Sequence, residues 1–87
     1  MERVAVHYHV DVCDAQSRPL WSTRPLPKSA AEREFKRLVN EYRQQVGKFT
    51  VRPATERDRE NGFVGAIKLA FNHRLVIALT RCDCDAH

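Results

Sequence analysis

SAAEREFKRLVNEYRQQVG, residues 29–47, is the stretch of sequence that decides the fold. Its apolar side chains recur at the three-and-four spacing of one helix face: Ala31, Phe35, Leu38, Val39, Tyr42 and Val46. Ser29, followed three residues later by Glu32, has the form of a capping box and predicts the start of a helix. Gly47 is placed to end it, because glycine readily adopts the left-handed backbone found at helix C-termini. We predict an amphipathic helix over 29–46.

The segments on both sides of this helix show the alternation and the turn residues of β-strands. Along residues 3–13 valine and tyrosine alternate with smaller or polar residues, which is typical of a half-buried strand. Further strands are predicted at 20–24, 48–52, 63–71 and 74–82, with a tight turn at Asn72–His73 between the last two. The highly charged residues 54–61 are predicted to form an exposed loop.

The predicted fold class is α+β, with the element order β-β-α-β-β-β and the helix packed on an antiparallel sheet. The length of 87 residues, with 43% hydrophobic and 30% charged residues, predicts one domain over 1–87 with a flexible tail at 83–87. The residues predicted to be buried are Val4, Val6, Tyr8, Phe35, Leu38, Val39, Tyr42, Ile67 and Leu69.

We expect neither a membrane span nor a leader peptide. Its longest unbroken apolar run, residues 75–79, is far shorter than the roughly 20 residues that a transmembrane helix needs. Residues 1–3 lead directly into the first strand pattern, so no signal peptide is expected. The odd number of cysteines, at Cys13, Cys82 and Cys84, indicates reduced thiols. These features predict a cytoplasmic protein.

The net charge of +4 is concentrated in the middle of the chain. Residues 18–59 hold eleven basic and five acidic residues, and most of the basic ones are arginine, whose planar guanidinium suits phosphate and carboxylate groups. On the predicted helix the basic residues cluster opposite the apolar stripe. We therefore expect an anionic partner to contact Arg33, Lys36, Arg37, Asn40 and Arg43 on the helix and Arg52, Arg57 and Arg59 after it. Arg33, Arg37 and Arg43, with Lys36 beside them, are expected to dominate.

The predicted hairpin over 63–82 is apolar on both faces. One helix can cover only one face of a sheet, so the other must be covered by another segment, another protein or a second copy of the chain. We expect a partner or a homodimer to contact the face that carries Leu75, Ile77 and Leu79.

Neither catalysis nor a cofactor is expected. The sequence contains no nucleophile elbow, phosphate-binding glycine loop or metalloprotease motif, although His9 and Asp11 share a strand face with His7. Histidine and cysteine are ligands for zinc or copper(I), and a metal-binding alternative would use His7, His9, Cys13, Cys82, Cys84 and His87. The CxxC spacing of a zinc site is missing, so no metal site is predicted.

No motif identifies a family, and the functional hypothesis comes from size and surface alone. The favoured hypothesis is a non-enzymatic small protein that occupies a surface of a larger protein or nucleoprotein complex. Small inhibitors encoded by phages and mobile elements, such as anti-CRISPR proteins, belong to this class. The alternative is a module that binds nucleic acid directly, and the second alternative is a metal-dependent regulator.

Overall fold

The computed structural model describes residues 6–82, which form five strands and two helices. In chain order these are β1 (His7–Asp14), β2 (Pro19–Ser22), α1 (Lys28–Val46), β3 (Thr50–Pro53), α2 (Glu56–Glu60), β4 (Ala66–Phe71) and β5 (Leu75–Cys82). The strands pair in one antiparallel sheet in the order β2-β1-β5-β4-β3. The predicted α+β class is confirmed, with one short helix added between the third and fourth strands. The tail predicted at 83–87 lies outside the described residues.

The helix α1 packs on the middle of the sheet, across β1 and β5. Because strand side chains alternate between faces, one side of these strands presents apolar residues to the helix. This helix side of the sheet forms the main core with α1 through Val10, Val12, Ala31, Phe35, Leu38, Ala70, Ile77 and Leu79. The opposite side, here called the far side, carries Asp11, Cys13, Ala78 and Thr80. Within residues 6–82 no helix is long and apolar enough to cross a membrane.

The ends of α1 confirm one part of the prediction and correct another. Gly47 ends the helix as predicted, with φ at 100° and its N–H donating to the Arg43 carbonyl at 3.0 Å. The capping box predicted at Ser29 and Glu32 does not form. The helix begins one residue earlier, after an extended Pro27 that supplies no side-chain cap, and Ser29 therefore lies inside the first turn. Proline suits this boundary, since its fixed φ is compatible with the start of a helix.

Residues 54–61 are not the simple loop that was predicted, because they contain α2. Thr55 caps this short helix, and the side chains of Thr55 and Asp58 form a reciprocal capping box. The segment lies against the far side of the sheet, where Ala54 and Phe63 pack on Ala66, Leu69 and Ala78. The far side is therefore partly covered by the chain itself.

This arrangement corrects the prediction of a partner face on β5. Ile77 and Leu79 are 0% and 1% exposed beneath α1, and Leu75 packs against the same cluster. Ile77 and Leu79 belong to the core, so they are not available to a partner or to a second copy of the chain, and Leu75 is partly buried beside them. The expectation failed because the hairpin pattern does not show that residues 54–63 fold back over the far side and leave the other side to α1.

The β4–β5 turn is displaced by one residue from its predicted place. Asn72 is the last residue before a two-residue loop of His73 and Arg74, and its N–H donates to the Leu75 carbonyl at 3.0 Å. The Asn72 side-chain carbonyl accepts from the N–H groups of Arg74 and Leu75, at 2.7 and 2.9 Å. Phe71 consequently pairs with Val76 rather than Arg74. Because the partner changes by two residues, the side chains of each strand stay on the same face as they would with the predicted turn.

Most of the residues predicted to be buried are confirmed as part of the core. Phe35, Leu38 and Leu69 are fully buried, and Tyr8, Val39, Tyr42 and Ile67 pack against the main cluster while remaining partly accessible. Val6 is 45% exposed, which corrects its prediction, because it precedes the first residue of β1. Val4 lies outside the described residues.

Candidate interaction surface

The outer side of α1 presents the basic residues that the sequence predicted there. We call this set, which consists of Arg33, Lys36, Arg37, Asn40 and Arg43, the basic face, and every member is exposed. Its position follows from the packing of the helix. Ala31, Phe35 and Leu38 are buried against the sheet, and the basic residues occupy the part of the helical circumference that points away from them.

The charges of the basic face are not equally available. The Arg37 guanidinium donates to Glu34 and, at 3.4 Å, to Glu41, each within one helical turn. The hydrogen bond from Arg37 lowers the pKa of Glu34, and the same bond raises the pKa of Arg37. Arg37 is therefore largely neutralised on the helix itself.

Three cations of the basic face make no such ion pair within the described residues. Within residues 6–82, Arg33, Lys36 and Arg43 take part in no ion pair. The Arg43 guanidinium donates a hydrogen bond to the Asn40 side-chain carbonyl, which orients it and leaves its charge uncompensated. These three side chains are therefore the cations of the basic face that are not held by a carboxylate.

The three arginines predicted to extend this surface lie on the other side of the molecule. Arg52 projects to the far side of the sheet, and Arg57 and Arg59 belong to α2, which is joined to that side through the ion pair of Asp58 with Arg52. A flat partner surface in contact with α1 cannot reach them at the same time. The structure therefore separates the eight predicted contact residues into two groups with the sheet between them.

Arg52 also differs from its neighbours because its side chain is used inside the fold. Its guanidinium donates two hydrogen bonds to the Asp58 carboxylate, at 2.6 and 3.1 Å, and lies 4.8 Å from the centre of the Phe71 ring. The hydrogen bond from Arg52 holds the pKa of Asp58 well below its usual range. This half-buried pair fastens α2 to β3 and β4, whereas Arg57 and Arg59 remain exposed.

A second polar cluster lies on the far side of β1 and centres on Asp11. One carboxylate oxygen accepts from the Ser22 hydroxyl at 2.5 Å and from His9 Nδ1 at 3.1 Å, and the other accepts from the Thr80 hydroxyl at 2.7 Å. The sequence placed His9 and Asp11 on one strand face, but their partners on β2 and β5 depend on strand pairing and were missed.

The metal-binding alternative requires a cluster of ligand side chains, and the described part of the chain does not contain one. Residues 6–82 contain no group of three or more histidine, cysteine, aspartate or glutamate side chains arranged to hold a metal ion. Cys13 is buried, and burial together with the nearby Asp11 and Asp14 raises the pKa of its thiol to about 11. This thiol is therefore protonated at neutral pH. Cys84 and His87, two of the proposed ligands, lie outside the described residues.

Comparison with family models, with curated proteins and with solved structures found no match to this chain. Of the surfaces formed by residues 6–82, the basic face is the largest set of exposed, uncompensated charges on a single rigid element, and the Asp11 cluster is the most densely hydrogen-bonded group of polar side chains.

Proposed function

We propose that this protein is a non-enzymatic binding protein that uses the basic face of α1 to occupy an anionic surface of a larger protein or nucleoprotein complex. The observation that supports the proposal is a set of three cations without ion pairs, Arg33, Lys36 and Arg43. They lie on the exposed side of α1, whose other side is buried in the core. At 1.5 Å per residue they extend over about 15 Å, which suits a groove or ridge on a partner.

Binding through α1 requires little loss of conformational entropy. Phe35 and Leu38 fix α1 on the sheet, so binding need only order the exposed side chains. Uncompensated charges on one face attract an anionic partner over several ångströms and raise the association rate. When a charged pair is buried in the complex and hydrogen-bonded, truncation of one member typically costs about 2–5 kcal/mol.

Occupation of a surface in this manner would make the protein an inhibitor or competitor of whatever normally binds there. Small phage-encoded inhibitors, anti-CRISPR proteins among them, act in this way, and we propose that class as the favoured form of the function. A cytoplasmic location belongs to the same proposal. It is supported by the free thiol of Cys13, since disulfides form mainly in oxidising compartments.

The proposal is tested with two triple variants that remove equal charge. One replaces Arg33, Lys36 and Arg43 with alanine, and the control replaces Lys48, Arg57 and Arg74, which lie outside α1, are also exposed and take part in no ion pair within residues 6–82. Binding is measured first to polyglutamate as a defined anionic polymer. It is then measured to the partner that the wild-type protein captures from its source cells.

We expect the α1 variant to bind at least about tenfold more weakly, mainly through a slower association rate, and the control variant to bind like the wild-type protein. Equal loss in both variants would contradict the proposal, because it would reflect net charge rather than the basic face. Circular dichroism provides the check that both variants remain folded.

The same three charges also support the alternative, direct binding of nucleic acid. A protein that neutralises three phosphates shows a logarithmic slope of affinity against salt of about −3 on duplex DNA. If the wild-type protein binds duplex DNA more tightly than polyglutamate at equal salt, with that slope, and the α1 variant loses it, the nucleic-acid hypothesis replaces the protein-partner hypothesis.

A further inference from the structure

A cavity of about 660 Å³ lies on the far side of the sheet, away from the basic face. Its volume falls within the range of small-molecule binding sites, which is roughly 300–1,000 Å³. Side chains of β1 and β5 lie at its base, and α2 and the segment before β4 form its edge. The residues that matter for its chemistry are His9, Asp11, Arg59, Val64, Gly65 and Thr80.

The Asp11 carboxylate at the base of this cavity is already hydrogen-bonded to other side chains of the protein. Asp11 accepts hydrogen bonds on both carboxylate oxygens from three side chains of β1, β2 and β5. A carboxylate has about four lone-pair positions, so three donors use most of its capacity. Asp11 therefore has little capacity left to accept a hydrogen bond from a ligand.

The edge of the cavity offers the opposite charge. Arg59 of α2 lines it, is exposed, and takes part in no ion pair with any residue between 6 and 82. It differs in this respect from Arg52 on β3, which forms an ion pair with Asp58. The guanidinium of Arg59 is therefore available for a carboxylate or phosphate group, which it can bind through two parallel hydrogen bonds.

An apolar side chain beside Arg59 has no role in the core. Val64 lines the same cavity and is 78% exposed, the largest exposure of any large hydrophobic side chain among residues 6–82. The next residue holds it there. Gly65, at φ of 83°, accepts a hydrogen bond from the Arg81 N–H at 2.8 Å. A Cβ at Gly65 would lie 2.7 Å from the Arg81 carbonyl oxygen.

We infer that this cavity binds a small organic anion, whose carboxylate or phosphate group pairs with Arg59 and whose apolar body packs on Val64. The ligand class follows from the two groups that the fold leaves exposed at the edge of the cavity, the Arg59 guanidinium and the apolar side chain of Val64. This site is separate from the basic face of α1, so it adds a second activity to the proposed macromolecular binding and does not depend on it.

The test is a ¹H–¹⁵N NMR titration with phenyl phosphate, which combines an apolar ring with a phosphate group. Phenol and inorganic phosphate, titrated separately, supply each half alone. We expect saturable shifts at the amides of Gly65, Ala66 and Thr80 with phenyl phosphate, and at least about tenfold weaker binding of either half. Shifts confined to α1, no saturable shift, or equal affinity for phenol would overturn the inference.

Two variants and a matched control separate the site from general charge. Arg57 lies on the same short helix as Arg59 and is also exposed, but it does not line the cavity. We expect Arg59→Ala to weaken phenyl phosphate binding at least about tenfold, and Arg57→Ala to leave it within about twofold. Val64→Glu, at an exposed position, should abolish binding by placing a like charge beside the phosphate. Equal affinities of the Arg59 and Arg57 variants would overturn the inference.

Discussion

Thr80 and Asp11, which are 69 residues apart in sequence, are joined by a hydrogen bond from the threonine hydroxyl to the aspartate carboxylate at 2.7 Å. The bond crosses between the two central strands, β1 and β5, on the side of the sheet opposite α1. Thr80 is the one buried polar residue among residues 6–82. A buried hydroxyl is stable only with a partner, so this pair ties the stability of the far side to Asp11.

We expect replacement of Thr80 by valine to lower the free energy of unfolding by about 1–2 kcal/mol. The shape is kept, but Asp11 loses one of its donors in a half-buried position. Asp11→Ala and the double variant complete a thermodynamic cycle. Urea denaturation should give a coupling energy of about 1 kcal/mol between the two sites. Strictly additive effects would show that the bond contributes nothing.

The pair of Arg52 and Asp58 predicts a pH-dependent contribution to stability. Because the bond from Arg52 depresses the pKa of Asp58 in the folded state, its stabilisation is complete above the unfolded pKa of about 3.9 and is lost as the pH falls below it. Asp58→Asn should lower the free energy of unfolding at pH 7 by about 1–3 kcal/mol. The difference between wild type and variant should shrink below about pH 4. Glu60→Gln, on the same helix, is the control and should change little at either pH.

The Cys13 thiol predicts the opposite dependence on pH. Its pKa is raised from 9.0 to about 11 in the fold, first by burial and then by the charges of Asp11 and Asp14. The stabilisation of the protonated thiol is therefore complete below pH 9.0 and is lost as the pH rises through about 11. In a variant with Cys82 and Cys84 replaced by serine, Cys13 should react with a disulfide reagent only as fast as the protein unfolds. Rapid labelling of the folded protein at pH 8 would contradict this.

The two helix starts predict different effects of the same kind of substitution. Thr55 accepts from the Asp58 N–H, so Thr55→Ala should cost about 1 kcal/mol of stability. Ser29 lies within the first turn of α1, where the structure shows no side-chain cap, and Ser29→Ala should change stability by less than about 0.5 kcal/mol. Thermal or urea denaturation of the two variants measures this. A large loss of stability in the Ser29 variant would indicate that the predicted capping box of Ser29 and Glu32 does form.

The position of Ile77 predicts that its replacement affects folding rather than association. Ile77→Ala should lower the free energy of unfolding by about 2–5 kcal/mol, because the side chain is fully buried beneath α1. Val51, which is 49% exposed on the edge strand β3, is the control, and Val51→Ala should change stability by less than about 0.5 kcal/mol. A folded Ile77 variant with an altered mass in solution would instead indicate a subunit interface.

Local patterns in the sequence predicted the elements that depend on neighbouring residues. The spacing of Phe35, Leu38 and Tyr42 predicted α1 and its buried side, and the position of Gly47 predicted where it ends. The helix start was wrong because Ser29 and Glu32 satisfy a pattern that the extended Pro27 makes unnecessary. The fold class is confirmed because one helix and several alternating strands permit few arrangements.

The errors concern contacts between distant segments. Whether Leu75, Ile77 and Leu79 face a helix or a partner depends on which segment covers each side of the sheet. The charged composition of residues 54–61 does not indicate that this segment folds back over the far side. The basic residues after α1 were grouped with the basic face because they follow it in sequence, although the sheet separates them. The donors of Asp11 come from three strands, and the edge of the cavity comes from a fourth segment. Periodicity alone cannot bring these residues together.

The pairing of β1 with β5 has a consequence for the order in which the protein can form during its synthesis. The central ladder joins His7 to Cys82, so the first strand waits for its main partner until almost all of the described chain has left the ribosome. Contacts between such distant segments are slow to form, because the intervening chain must first be ordered. Until then the amphipathic helix α1 has only part of the surface that buries Phe35 and Leu38. Translation that stalls before residue 75 would therefore leave a nascent chain with exposed apolar side chains, the state in which small proteins aggregate or recruit chaperones.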